Sequence, residues 1–137
     1  MLEFVRAAVA RRTQHSALRS GDFLQGRATA GSAHSDITWL RADGAEMTGP
    51  DWASPVAARL AFHLAGADGS PAAGAILVLM NGDVNPGTFV LPGPSYGASW
   101  RVTLDARAKP QIDATLPAVA SIELDAGALV VLAAPQP

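Results

Sequence analysis

The chain has 137 residues, a formal net charge of -2 and no cysteine, and 49% of its residues are hydrophobic. That length suits one domain with a buried core and falls well short of a barrel enzyme of roughly 250 residues. The weakly acidic balance offers no basic stripe to a phosphate backbone, and the missing cysteines exclude a disulfide framework and thiolate metal sites, so a nucleic-acid partner is not expected and a soluble, cytoplasmic protein is.

Residues Leu2 to about Leu18 contain neither glycine nor proline, and Leu2, Phe4, Val5, Ala8 and Val9 recur at helical spacing, which predicts one amphipathic helix ending near Ser20 and Gly21. The charges at Glu3, Arg6, Arg11 and Arg12 interrupt any signal-type apolar run. After Gly21 the pattern changes to short apolar or alternating runs separated by turns at ADG (42–44), TGP (48–50), GADGSP (66–71), NGDVNPG (81–87) and PGPSYG (92–97). The runs at 36–41, 56–65, 75–80, 88–91, 100–105, 119–124 and 129–133 read as strands, with a further short one near 45–48. AILVLM (75–80) and ALVVLAAP (128–135) are far shorter than the ~20 residues of a membrane span. The closing AAPQP is expected to fray.

Many short strands after a single helix predict a mainly β fold, an antiparallel β-sandwich preceded by one N-terminal α-helix, with boundaries at 1–20 and 21–137. With no helix available to cover a sheet, the sheets must bury their apolar faces against each other. Leu60, Phe62, Leu64, Ile76, Val78, Trp100, Val102, Leu104, Ile122, Leu124, Val130 and Leu132 alternate as candidates for that core.

Candidate chemistry is sparse. Asp43 lies before Gly44 in a turn and Asp51 follows Gly49 and Pro50, so with Glu46 they read as turn acids and not as a catalytic pair. His15, His34 and His63 fit neither a helical zinc motif nor a zinc finger, and no metal or cofactor is expected. Asn81, Asp83 and Asn85 alternate like the first ligands of a calcium loop, but Pro86 and Pro92 stand where that loop needs glycine and glutamate, so a hairpin turn is the reading. Trp100 and Trp39 share strand faces with apolar residues and are expected in the core or at a domain interface. Trp52 and Tyr96, beside turns, remain as candidate carbohydrate contacts. No catalytic residue is assigned.

FLQGR (23–27) and DITWLRADGAEMTGPDW (36–52) resemble the segment that follows the catalytic barrel in bacterial glycogen debranching enzymes of the isoamylase type, in the α-amylase superfamily. Arg12, His15, Phe23, Gln25, Gly26 and Arg27 match that family's helix end and turn, and LVLMNGDVNPGTFVLP (77–92) and WRVTLD (100–105) are similar to its later strands. Ser16 stands where the family has proline, and Ala8 and Arg11 where it has larger apolar residues.

The resemblance implies that Leu2 to Leu18 corresponds to the last helix around a catalytic barrel and the remainder to a non-catalytic C-terminal β domain supporting it. Enzymes of that family hydrolyse α-1,6 branch linkages in glycogen-like glucans through carboxylates housed in the barrel. The expected partner is therefore the barrel of a larger enzyme, of which this chain is expected to be a piece, with a glucan as a second partner. Lacking the barrel, the helix stripe invites self-association with a second copy. The alternative expectation is a free-standing carbohydrate-binding β module.

Overall fold

The computed structural model describes residues 1–28, 34–55, 57–66, 74–106 and 113–135. The turn expected at 66–71, apart from its first residue, and the final two residues lie outside them, as does Val56. Helix α1 spans Leu2–Gln14, followed by a 3-10 turn at Ser16–Arg19 and strand β1 at Ile37–Leu40. A one-turn helix α2 (Gly49–Trp52) leads to β2 (Arg59–Leu64), β3 (Ile76–Asn81), β4 (Gly87–Val90), β5 (Ser99–Asp105), β6 (Thr115–Pro117), β7 (Ser121–Leu124) and β8 (Leu129–Ala133).

The expected mainly β, antiparallel architecture with an N-terminal helix is observed. Six strands form one sheet in the order β1-β2-β3-β8-β5-β6, and β4 pairs with β7 in a second. Every pairing is antiparallel. The short sheet lays Phe89, Ile122 and Leu124 over the inner face of the long one, where Leu40, Leu77, Leu79, Trp100, Val102, Val130 and Leu132 are buried. Asn81 fastens the two together, since its side-chain amide donates to the carbonyls of Leu124, Asp125 and Asn85. The Asn81 stretch is thus a turn, as its prolines require.

Helix α1 is shorter than the periodicity suggests. His15 takes φ -108° and ψ 112°, which ends the helix, and the chain resumes as the 3-10 turn. No residue of α1 is buried. Its link to the sheet is the Arg11 guanidinium, whose Nε donates to the Thr103 carbonyl at 3.1 Å.

Two strands present the face opposite to the one expected. In β2 and β3 the residues turned toward the second sheet are Ala61, His63, Leu77 and Leu79. Phe62, Leu64, Ile76 and Val78 lie on the outer face, in a second apolar cluster with Met80, Leu129, Val131 and Ala133. Ala17 and Leu18 of the 3-10 turn cover part of it. Sheet pairing sets these faces: Trp39, Phe62, Val78 and Val131 are successive cross-strand partners, so all four point outward together.

The opening hairpin depends on Gly44. Its φ of +85° suits glycine, and an added Cβ would lie 2.9 Å from the Val90 carbonyl oxygen. That close approach lets Val90 donate its N–H to the Ala42 carbonyl at 2.7 Å, joining the β1 hairpin to the second sheet.

Candidate functional site

Three surfaces carry the unusual chemistry. The first is the apolar exterior at the N-terminal end. On α1, Leu2, Phe4, Val5 and Val9 are exposed, and beyond the helix Phe23 is 94% exposed with Leu24 beside it. The turn that follows Phe23 is held by a carboxylate: Asp36 accepts the N–H groups of Gln25 (2.8 Å), Gly26 (2.8 Å) and Ile37 (2.7 Å). Gly26 supplies φ +67° for this turn. Partial burial alone would push the Asp36 carboxyl up, but the backbone N–H groups of Gln25, Ile37, Gly26 and Arg27 together hold it below its ordinary value.

The second surface is an aromatic corner where β1 meets α2. Trp39 is 37% and Trp52 53% exposed, with ring centroids 5.6 Å apart and planes at 77°. Phe62 backs Trp39 at 5.3 Å. Helix α2 is fixed by a capping box, in which Asp51 accepts from the Thr48 N–H (2.8 Å) and hydroxyl (2.7 Å). Arg41 stands between Asp43 (2.7 Å) and Asp51 (3.6 Å). The Arg41 hydrogen bond and the Ala45 N–H hold the Asp43 carboxyl low, and the Thr48 hydroxyl and N–H do the same for Asp51. Both acids occupy turn and cap positions, and a carboxylate held ionised in this way is a poor proton donor near neutral pH.

The third is a ring cluster over the core. Tyr96 is buried, its hydroxyl donates to the Glu46 carboxylate, and His34 stacks on its ring at 4.0 Å. His63 meets Tyr96 edge-on at 5.1 Å and Trp100 at 6.0 Å. It is fully buried, and neither ring nitrogen reaches a hydrogen-bond partner among the described residues. Burial, reinforced by the charge His34 would carry, lowers its pKa to about 4, while a weak contact with the Tyr96 backbone acts the other way. Burial first, then the Glu46 hydrogen bond and charge, push the Tyr96 phenol up.

Of the two carbohydrate candidates, Trp52 presents ring surface to solvent and Tyr96 is enclosed by His34, His63 and Glu46. The pairing of Trp39 with Trp52 and the His34, Tyr96, His63 cluster were not read from the sequence, because each joins residues that only strand pairing and loop packing bring together. His15 is buried apart from the other two histidines, its pKa lowered by burial and by Arg11. No group of three or more potential metal ligands converges among the described residues.

The chain matches the family described as isoamylase, C-terminal, over residues 36–124. An isoamylase from Flavobacterium sp. is 31% identical over 101 residues, which cover 73% of this chain and 13% of that protein. In structure the chain is similar to a pullulanase from Anoxybacillus sp. LM18-11 crystallised with maltotetraose, with a TM-score of 0.56 at 15% identity, covering 97% of this chain and 15% of that one. The chain therefore spans a small part of the length of the proteins it matches. The block DITWLRADGAEMTGPDW opens the matched region and carries the aromatic corner, the Asp36 clamp and the Gly44 turn. This chain belongs to the isoamylase C-terminal domain family.

Proposed function

We propose that this chain is the non-catalytic C-terminal domain of a debranching glycoside hydrolase acting on the α-1,6 branch linkages of glycogen-like glucans, and that it supports the catalytic barrel by packing against it. The observation that carries this reading is the uncovered apolar surface of α1 together with the exposed Phe23 just before the turn that Asp36 clamps. A helix with no buried residue and a nearly fully exposed phenylalanine on a clamped turn are costly in water and become favourable once a partner covers them. Family membership and the much greater length of the matching isoamylase and pullulanase supply the kind of partner, namely the remainder of such an enzyme. The clamped acids of the β1 hairpin fit a supporting role, since they serve turns and caps.

The test is a fusion of this chain behind the catalytic portion of an isoamylase whose own C-terminal domain has been removed. Debranching activity and resistance to heat inactivation are expected to recover, and to be lost again when Val9→Asp and Phe23→Asp are introduced together. A fusion no more active or heat-resistant than the truncated enzyme overturns the reading.

A further inference from the structure

We propose that Asn81 is a deamidation site that the fold keeps closed: its amide is lost when β3 parts from the second sheet, and the product cannot remake that join. The chemistry begins in the sequence. An asparagine followed by glycine is prone to spontaneous loss of ammonia, because no side chain on the glycine hinders its nitrogen as it closes on the asparagine Cγ. The chain has two asparagines, and Asn85 precedes Pro86, whose nitrogen carries no hydrogen and cannot attack. Asn81 precedes Gly82 and is the reactive one.

In the reaction the Gly82 backbone nitrogen gives its proton to hydroxide and bonds to Cγ of Asn81. The Cγ–Nδ2 bond breaks, and Nδ2 takes a proton from water and leaves as ammonia. The product is a five-membered succinimide. Water then adds to one of its two carbonyl carbons, opening the ring to aspartate or to isoaspartate, in which the main chain runs through the former side chain.

The folded chain ties down the groups this step needs. Gly82 donates its N–H to the Ala58 carbonyl at 2.8 Å. The leaving nitrogen, Nδ2, donates to the carbonyls of Asn85 (3.0 Å), Leu124 (3.2 Å) and Asp125 (3.0 Å), and Oδ1 accepts the Asp83 N–H at 3.1 Å. Asn81 is also 2% exposed, which keeps hydroxide and water away from Cγ. Turning Cγ toward the Gly82 nitrogen breaks these bonds together, and that amounts to opening the join between the sheets.

The product is a poor fit to the site that made it. An aspartate would turn a carboxylate oxygen, an acceptor with a charge, toward the three carbonyl oxygens that Nδ2 now serves. Isoaspartate adds a carbon to the main chain at the end of β3, where Asn81 pairs with Arg59. A chain modified while open is thereby kept from closing. Transient opening becomes permanent loss.

The experiment incubates the native chain and the chain in guanidinium chloride in the same mildly alkaline buffer, and follows the amide-to-acid mass gain at Asn81 by peptide mass spectrometry. Asn85 is the internal control. Conversion of Asn81 is expected in denaturant and at least about tenfold more slowly in the native chain, since it waits on opening. After dilution of the denaturant, chains that refold to the compact monomer should be depleted in the modified form. Asn81→Asp, made as the product from the outset, should lower the urea midpoint. Equal rates in the two states, no conversion in denaturant, modified chains refolding in their starting proportion, or an unchanged midpoint for Asn81→Asp overturns the proposal.

Discussion

The Asp36 carboxylate accepts the N–H of Gly26 at 2.8 Å and so fixes a turn ten residues earlier in the chain. With the bond from Gln25, this pins the turn that follows the exposed Phe23. Asp36→Ala should lower the unfolding free energy by about 1–2 kcal/mol, the usual worth of hydrogen bonds to a charged acceptor at a partly solvated site. Amide exchange at Gln25 and Gly26 should rise at the same time, which would separate loss of the turn from a general loss of stability.

Acid should weaken the fold through His63. Its folded pKa of about 4 lies below the ordinary 6.5, so the stability linked to its neutral form is fully present above pH 6.5. That contribution is lost as pH falls from 6.5 toward 4, by about 3 kcal/mol at the low end. Urea midpoints measured between pH 4 and pH 7 check the slope, and His63→Leu should flatten it. Because neither ring nitrogen reaches a hydrogen-bond partner among the described residues, that variant should be no less stable than the parent at neutral pH.

Gly44→Ala should destabilise the domain by about 2 kcal/mol or more, because a side chain is strained at positive φ and this one also meets a backbone oxygen. The affected contact joins the β1 hairpin to β4, so thermal denaturation followed by near-ultraviolet circular dichroism should show loss of tertiary packing before loss of the sheet.

The two strand tryptophans should differ. Trp100 is fully buried in the inter-sheet core, and Trp100→Ala should cost about 3–5 kcal/mol. Trp39 keeps 37% of its surface exposed on the outer face, so Trp39→Ala should cost about 1–2 kcal/mol. Chemical denaturation of both variants under one set of conditions tests the ranking.

Local chemistry determined much of this protein. Turn residues and alternation mark the strands, and β8 falls at Leu129–Ala133 as the pattern predicts, because a run of apolar residues bounded by turns has few other solutions. The same holds for the acids of the β1 hairpin, whose short side chains bond nearby backbone in any fold that keeps the turn. The family was also legible, since FLQGR and, eight residues on, DITWLRADGAEMTGPDW carry turn, clamp and cap residues, and the second opens the matched region. Tertiary structure alone decided the faces of β2 and β3. AILVLM is apolar at every position, so no period marks which side meets the second sheet, and pairing with β1 and β8 settles it. Helix α1 stops at Gln14 although its pattern continues, because His15 leaves helical geometry and is buried beside Arg11, which bonds the Thr103 carbonyl. Strand β6 is a three-residue segment whose identity comes from its partner, β5, and not from its own composition. The stacking of His34 on Tyr96, next to buried His63, likewise unites distant positions, and contacts of that range leave no periodic trace in the chain, because they arise only when separate strands and loops converge.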